Sequence, residues 1–410
     1  MSFVPVTSLL VSYEPEEGKP RRVGRLLRHQ RDLLFEYEPS FITGGLELSP
    51  FKLPLSGGVM RGNPARLGGL MSLFDDSLPD GWGRRLVADR PLGFGPLDHL
   101  ALIGRRSMGA LVYEPDQLLE TPTVVKVAEL QKEIRAFQKG RARLDLDRLI
   151  AIGGSPHGAR PKALVQIDAR GVLHAGAANA LPGCSGWLLK FRGERDGVES
   201  CALEHAYCLM AKSAGIDVPE TQVLARDRGV FAIRRFDREG KRRIHQLTLA
   251  ALLDEPHTFP SIGYRELLLV TRRLVRAEHA VEEVFRRACF NVFAHNRDDH
   301  SKNFSFVMNE KGLWGVSPAY DLNFSEGPGG EHWMTVAGEG GNPQRSHLES
   351  LAKQGDLKRP APIIDAVRAA VDRFASFAEE AGLSAKTRTR VAKALGVPTT
   401  VSRRQRARKR

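Results

Sequence analysis

Residues 294–306 read AHNRDDHSKNFSF, and Asp298, Asp299, His300, Lys302 and Asn303 fall within six consecutive positions of that stretch. Upstream, Val281, Val284, Phe285, Ala288, Val292 and Phe293 recur at helical spacing, which predicts a buried helix ending near Phe293. Downstream, NFSFVM has the composition of a strand. The polar cluster is therefore expected on a loop between two buried elements, a rigid mount for reactive groups. A hairpin follows: FSFVM, the turn NEKG, then LWGVS. It brings AYDLNFS back to the same end and sets Asp321 near Asn303 although 18 residues separate them.

Phosphoryl transfer needs such a set. An aspartate accepts the proton of the attacking hydroxyl, and an asparagine with a second aspartate holds magnesium against the nucleotide phosphates. The order aspartate, asparagine five residues on, hairpin, aspartate is that of a kinase catalytic loop followed by its metal-binding loop. Asp298 is thus read as the base, with Asn303 and Asp321 as magnesium ligands. The tripeptides HRD and DFG are absent, so the match is one of roles and order. Two other readings stand beside it. Asp298, Asp299 and His300 could cap a helix end and solvate a loop, or His295, Asp298, Asp299 and His300 could hold a hydrolytic metal. The second lacks a complementary histidine or carboxylate pair elsewhere in the chain.

The upstream half favours the kinase reading. GGSPHGARPK, residues 153–162, is a glycine-rich loop whose backbone N–H groups can cradle phosphates, with Arg160 and Lys162 adding positive charge. It fits neither GxxxxGK[ST] nor GxGxxG. Lys190 ends the apolar strand GWLLK, and a lysine directed inward from such a strand must find an anion. Glu204 lies on the following helix, expected from Ser200 to Ala214 with Gly215 as its left-handed stop. Strand lysine and helix glutamate after a glycine loop form the clamp that kinases place on the α- and β-phosphates.

The chain has 410 residues, 42% apolar and 27% charged, enough for two or three packed units. The reading is an α+β, bilobal protein-kinase-like fold. It divides into an N-terminal α+β domain (1–120) packed on the small lobe, a connector helix (121–152), a small lobe with the glycine-rich loop (153–240), a mainly helical lobe (241–402) and a basic tail (403–410). The first residues lack the basic start and apolar stretch of a leader, and no apolar run approaches the roughly 20 residues of a membrane span. A cytoplasmic location without membrane contact is expected. Cys184, Cys201, Cys208 and Cys289 form no CxxC pair, as suits reduced thiols serving as small apolar groups. The net charge is +13, and the tail RRQRARKR supplies six of those charges, a run that can add salt-dependent affinity for nucleic acid.

With these residues in hand, the chain resembles the HipA family, the serine/threonine kinase toxins of bacterial toxin–antitoxin modules. LSPFKLPL, FDDSLPDGWGRR, LALIGRRSMGAL, GGSPHGARPKALV, LLKF, AGIDVPET, AIRRFDR, NRDDHSKNFSF and AYDLNFS carry the resemblance over almost the whole length. It implies that Ser155 is autophosphorylated, expelling the glycine loop and silencing the enzyme. His157, Gly158, Ala159, Arg160, Pro161 and Lys162 would be the nucleotide loop and Lys190 the phosphate lysine. Arg234, Arg235 and Phe236 would lie beside the adenine. Asp298 would be the base, His300, Ser301, Lys302 and Asn303 nucleotide and magnesium contacts, and Tyr320 with Asp321 the second metal element. Asp299 stands where some members have glycine. The implied cofactors are ATP and Mg2+. The implied partners are a HipB-like helix-turn-helix antitoxin, operator DNA through that complex, aided by the basic tail, and a protein substrate such as an aminoacyl-tRNA synthetase. Two rivals are a small-molecule phosphotransferase, served by the same residues, and a DNA-binding or nuclease subunit using the tail.

Overall fold

The computed structural model describes residues 5–79, 81–87, 95–118, 122–140, 158, 160–224, 229–255 and 261–401. The chain forms two compact units: residues 1–195, 232–256 and 305–313 make the first, and 196–231, 257–304 and 314–410 the second.

In the first unit, strands β1 (Ser8–Tyr13), β2 (Arg21–His29), β3 (Asp32–Tyr37), β4 (Val59–Arg61) and β5 (Leu111–Glu114) form a sheet in the order β4-β3-β2-β1-β5. Alternation explains β1: Leu9, Val11 and Tyr13 are buried on one face. Gly24 in β2 is required by close approach, since a Cβ there would meet the carbonyl oxygen of Glu36 at 2.2 Å.

A second sheet uses β6 (Thr123–Val125), β7 (Lys162–Asp168), β8 (Leu173–Ala175) and β9 (Cys184–Phe191), adjacent in the order β9-β7-β8-β6. The connector therefore opens as a strand, β6 pairing with β8, because the run TVV is β-branched. Its helix, Val127–Gln138, follows and buries Leu130 and Ile134. Residues 141–152 of the connector lie outside the described residues.

Buried charges join the two sheets. Asp237, fully buried, accepts from Arg235 Nη2 and Arg238 Nη1 at 2.6 Å each and from Gly109 N–H at 2.8 Å. Arg238 also donates to the carbonyls of Ser107 (2.7 Å) and Gly109 (2.8 Å). Arg243 reaches Glu14 at 3.3 Å, and Arg105 pairs with the same carboxylate. The N-terminal α+β region is thus packed on the sheet that carries Lys190.

The second unit is mainly helical. Its core helix, Glu278–Phe293, buries Val281, Val284, Phe285, Ala288 and Val292 and packs against the helices Tyr264–Val275 and Pro360–Val371. Helix Ser200–Ser213 buries Leu203, Tyr207, Met210 and Ala211, and Gly215 follows with φ +81°, the left-handed stop its sequence calls for. Among the described residues, no helix is long and apolar enough to cross a membrane.

Candidate active site

The core helix delivers the polar loop directly. Ala294 caps it, His295 turns left-handed with φ +48°, and Asn296 N–H returns to the carbonyl of Asn291 at 2.9 Å, a Schellman closure made without glycine. The His295 ring stacks on Phe324, centroids 6.5 Å apart, which fixes this strained residue. Burial and nearby arginines push the His295 imidazole down to about 4, so it is neutral. The carbonyl of Ala294 accepts the buried Tyr207 hydroxyl at 2.7 Å. Tyr207 lies three residues after Glu204 on its helix, so this bond ties the Glu204 helix to the start of the loop. Glu204 is itself 2% exposed.

Asp298 points its carboxylate toward solvent, with 62% side-chain exposure, and His300 Nε2 lies 3.9 Å away. A 3-10 turn, Ser301–Asn303, then folds the loop back. Asn303 Nδ2 donates to the Asp298 carbonyl at 2.7 Å, so the amide oxygen is the end of this side chain that can accept or ligate. Tyr320 donates its hydroxyl to the carbonyl of Lys302 at 2.8 Å. Residues Tyr320 and Asp321 are thereby held against the loop that carries Asp298 and Asn303, across 18 residues of sequence. The segment is pinned again by Ser325 N–H on the carbonyl of His295 at 3.0 Å and by Ala319 N–H on that of Asp217 at 2.7 Å. Asp321 has φ +54°, a conformation that aspartate tolerates better than most residues.

A carboxylate and an amide oxygen from this pair of loops are hard oxygen donors, the kind magnesium takes when phosphates and water complete its shell. Asn303 and Asp321 therefore fit that ion. The alternative set His295, Asp298, Asp299 and His300 does not: no cluster of three or more histidine, cysteine, aspartate or glutamate side chains suited to a metal occurs among the described residues. His295 is spent on Phe324. Asp299, fully buried, accepts from Tyr264 Oη (2.5 Å), His332 Nδ1 (2.8 Å) and Trp333 N–H (2.8 Å).

In the first unit, Lys162 and Lys190 are directly opposed in the β7–β9 register and only 3% and 7% exposed. Opposed residues of neighbouring strands share a face, and an ammonium group buried there needs an anionic or polar partner. Gly158 has φ +104°, and a Cβ there would stand 2.8 Å from Lys162 Nζ. The lysine tip can move aside, but the positive φ is one that glycine adopts far more readily than other residues. Pro161 sits at the start of β7, its carbonyl accepting Phe191 N–H at 2.8 Å. Arg160 is half-buried beside it. Arg234 is exposed, Arg235 and Phe236 are half-buried, and Arg235 N–H bonds the Gly186 carbonyl at 2.9 Å. The Arg235 guanidinium is committed to Asp237. Ser155, His157 and Ala159 lie outside the described residues.

The partners of Asp299 were missed by sequence reasoning. Tyr264, His332 and Trp333 lie 33 to 35 positions from it, and no local pattern connects them.

The chain has a protein-kinase-like fold. The chain belongs to the HipA family: the profile of the HipA-like C-terminal domain matches residues 154–381 and that of the HipA N-terminal domain residues 19–114. A Sinorhizobium fredii protein named "Putative kinase Y4dM" is 26% identical over 326 residues, covering 73% of this chain and 74% of that protein. A Haemophilus influenzae protein with the same descriptor is 27% identical over 135 residues, 29% of this chain and 39% of its own length. Among solved structures, the Shewanella oneidensis HipA chain in complex with HipB and operator DNA superposes with a TM-score of 0.67, covering 95% of both chains at 17% identity.

Proposed function

We propose that the protein is an ATP- and Mg2+-dependent serine/threonine protein kinase acting as the toxin of a toxin–antitoxin module. The observation that carries this reading is the closure of the two loops in the second unit, Tyr320 on the Lys302 carbonyl and Asn303 on the Asp298 carbonyl. It holds together two loops that carry an exposed carboxylate and two oxygen-bearing side chains, the residue types that phosphoryl transfer calls for. Asp298 takes the proton of the substrate hydroxyl. Asn303 and Asp321 would hold magnesium, which supplies charge neutralisation at the β- and γ-phosphates. Lys162 and Lys190 offer paired positive charge for phosphate, Gly158 permits close backbone approach, Arg234 to Phe236 flank the base, and His300, Ser301 and Lys302 complete the nucleotide contacts. Glu204 is the clamp partner proposed for Lys190.

Ser155 is the proposed autophosphorylation site. A phosphate there would add about −2 charge to the sequence segment that also carries Arg160 and Lys162, and would compete with the nucleotide for them. The Shewanella complex supports a HipB-like antitoxin and operator DNA as partners, and a translation factor such as an aminoacyl-tRNA synthetase is the proposed substrate. The test is transfer from radioactive ATP to lysate proteins with Mg2+ by the purified chain. Asp298→Ala and Asp321→Ala, each folded as judged by circular dichroism, should lose at least 100-fold in rate, the scale of a removed acid–base group. Undiminished labelling refutes the assignment, and a labelled metabolite with unlabelled proteins replaces the protein substrate by a small molecule.

A further inference from the structure

Asp299 immediately follows the proposed base, yet it is fully buried where Asp298 is open to solvent. Its two oxygens accept three donors from two other segments: the Tyr264 hydroxyl, the His332 ring and the Trp333 backbone. Tyr264 begins the helix Tyr264–Val275, and its own N–H is fixed on the Thr335 carbonyl at 3.0 Å. Burial, then the adjacent Asp299 carboxylate, push the Tyr264 phenol well above its ordinary value. It therefore stays a donor.

The chain of bonds does not stop there. Asn291 Nδ2 donates to Tyr264 Oη at 2.8 Å, and Asn296 Nδ2 to Asn291 Oδ1 at 2.9 Å. Asn296 Oδ1 then faces Asn323 N–H at 3.5 Å, two residues past Asp321. A buried carboxylate without partners is strongly unfavourable. Three charge-assisted bonds offset that cost here, and every one of them fixes a backbone segment around the loops.

We infer that Asp299 is a positioning residue: it anchors the backbone that aims Asp298 and, through Tyr264, Asn291 and Asn296, sets that loop in register with the one bearing Asp321. This rests on the kinase reading for its kinetic consequence only.

The experiment compares full-length wild type, Asp299→Asn and Tyr264→Phe. Asparagine keeps the shape but turns one acceptor into a donor that faces a donor. Asp299→Asn should lower kcat about 10- to 100-fold, as outer-shell changes do, with KM for ATP within about twofold, and raise the Mg2+ concentration giving half-maximal rate. Tyr264→Phe, which removes one of three donors, should fall between, and it carries the test should the asparagine variant not fold. In parallel, amide exchange should rise together in residues 294–304 and 320–326 while helix Glu278–Phe293 stays protected. Full kcat in folded Asp299→Asn, or exchange that rises beside residue 299 alone, overturns the inference. If wild type transfers no phosphate, the kinase reading fails by itself, and the exchange arm still decides the role of Asp299.

Discussion

Removing the Asp237 carboxylate should unlock the N-terminal region from the lysine-bearing sheet. Asp237 has 0% side-chain exposure, and its partners Arg235 and Arg238 have 9% and 13%. In Asp237→Ala both guanidiniums stay buried without their counter-charge, though Arg238 keeps the carbonyls of Ser107 and Gly109. Breaking one partner out of such a cluster costs about 3–5 kcal/mol, and Asp237→Asn, which keeps an oxygen acceptor, less. Because the chain has two units, a single melting temperature is a poor measure. Amide exchange in β7 and β9 reports the first unit directly, and a loss of about 3 kcal/mol appears there as more than a hundredfold faster exchange. The same carboxyl gives a pH signature. Although burial opposes ionisation, Arg235, Arg238 and Gly109 N–H hold its pKa well below the usual 3.8. The unfolded chain therefore binds the proton first as pH falls. The contribution is full above about pH 4 and is lost progressively below it, a slope that Asp237→Asn should flatten. Exchange in Asp237→Ala within about 1 kcal/mol of wild type would refute the reasoning.

Two further outcomes test the packing around the site. Tyr207→Phe leaves the Ala294 carbonyl without its buried donor and should cost about 1–2 kcal/mol, read as faster exchange at the end of helix Glu278–Phe293 with the first unit unchanged. His245 is buried, its Nε2 on the Leu48 carbonyl at 3.0 Å, and desolvation lowers its pKa to about 4. Between about pH 6.5 and 4 the unfolded chain carries the extra proton, so stability present above 6.5 should fall by up to about 3 kcal/mol as pH drops through that window. A denaturant titration of His245→Gln against wild type at pH 7 and pH 4.5 checks this through the difference in slope.

The local features of the site were legible early. The helix ahead of AHNRDDHSKNFSF ends at Phe293, as its apolar spacing requires, and Tyr320 meets Lys302 where the return of the chain placed it. These follow from 3.6-residue and 2-residue periodicity, which any short window displays. The connector was less legible: its first residues, Thr123–Val125, join a sheet edge, and a short β-branched run carries too little periodicity to separate strand from helix. Arg235 shows a different limit. Its guanidinium lies on Asp237, two residues away, a pairing that no periodicity announces.

The order and spacing of Asp298, Asn303 and Asp321, and hence the kinase reading proposed above, come from the sequence alone, because a motif and its flanking apolar pattern are local. Which buried groups meet one another was decided only by tertiary structure. Lys162 opposes Lys190 through strand register, Asp237 meets Gly109 across 128 residues, and Asp299 finds Tyr264 and His332 from opposite directions along the chain. Burying a charge requires partners wherever the fold can bring them. Proximity in sequence has no part in that requirement.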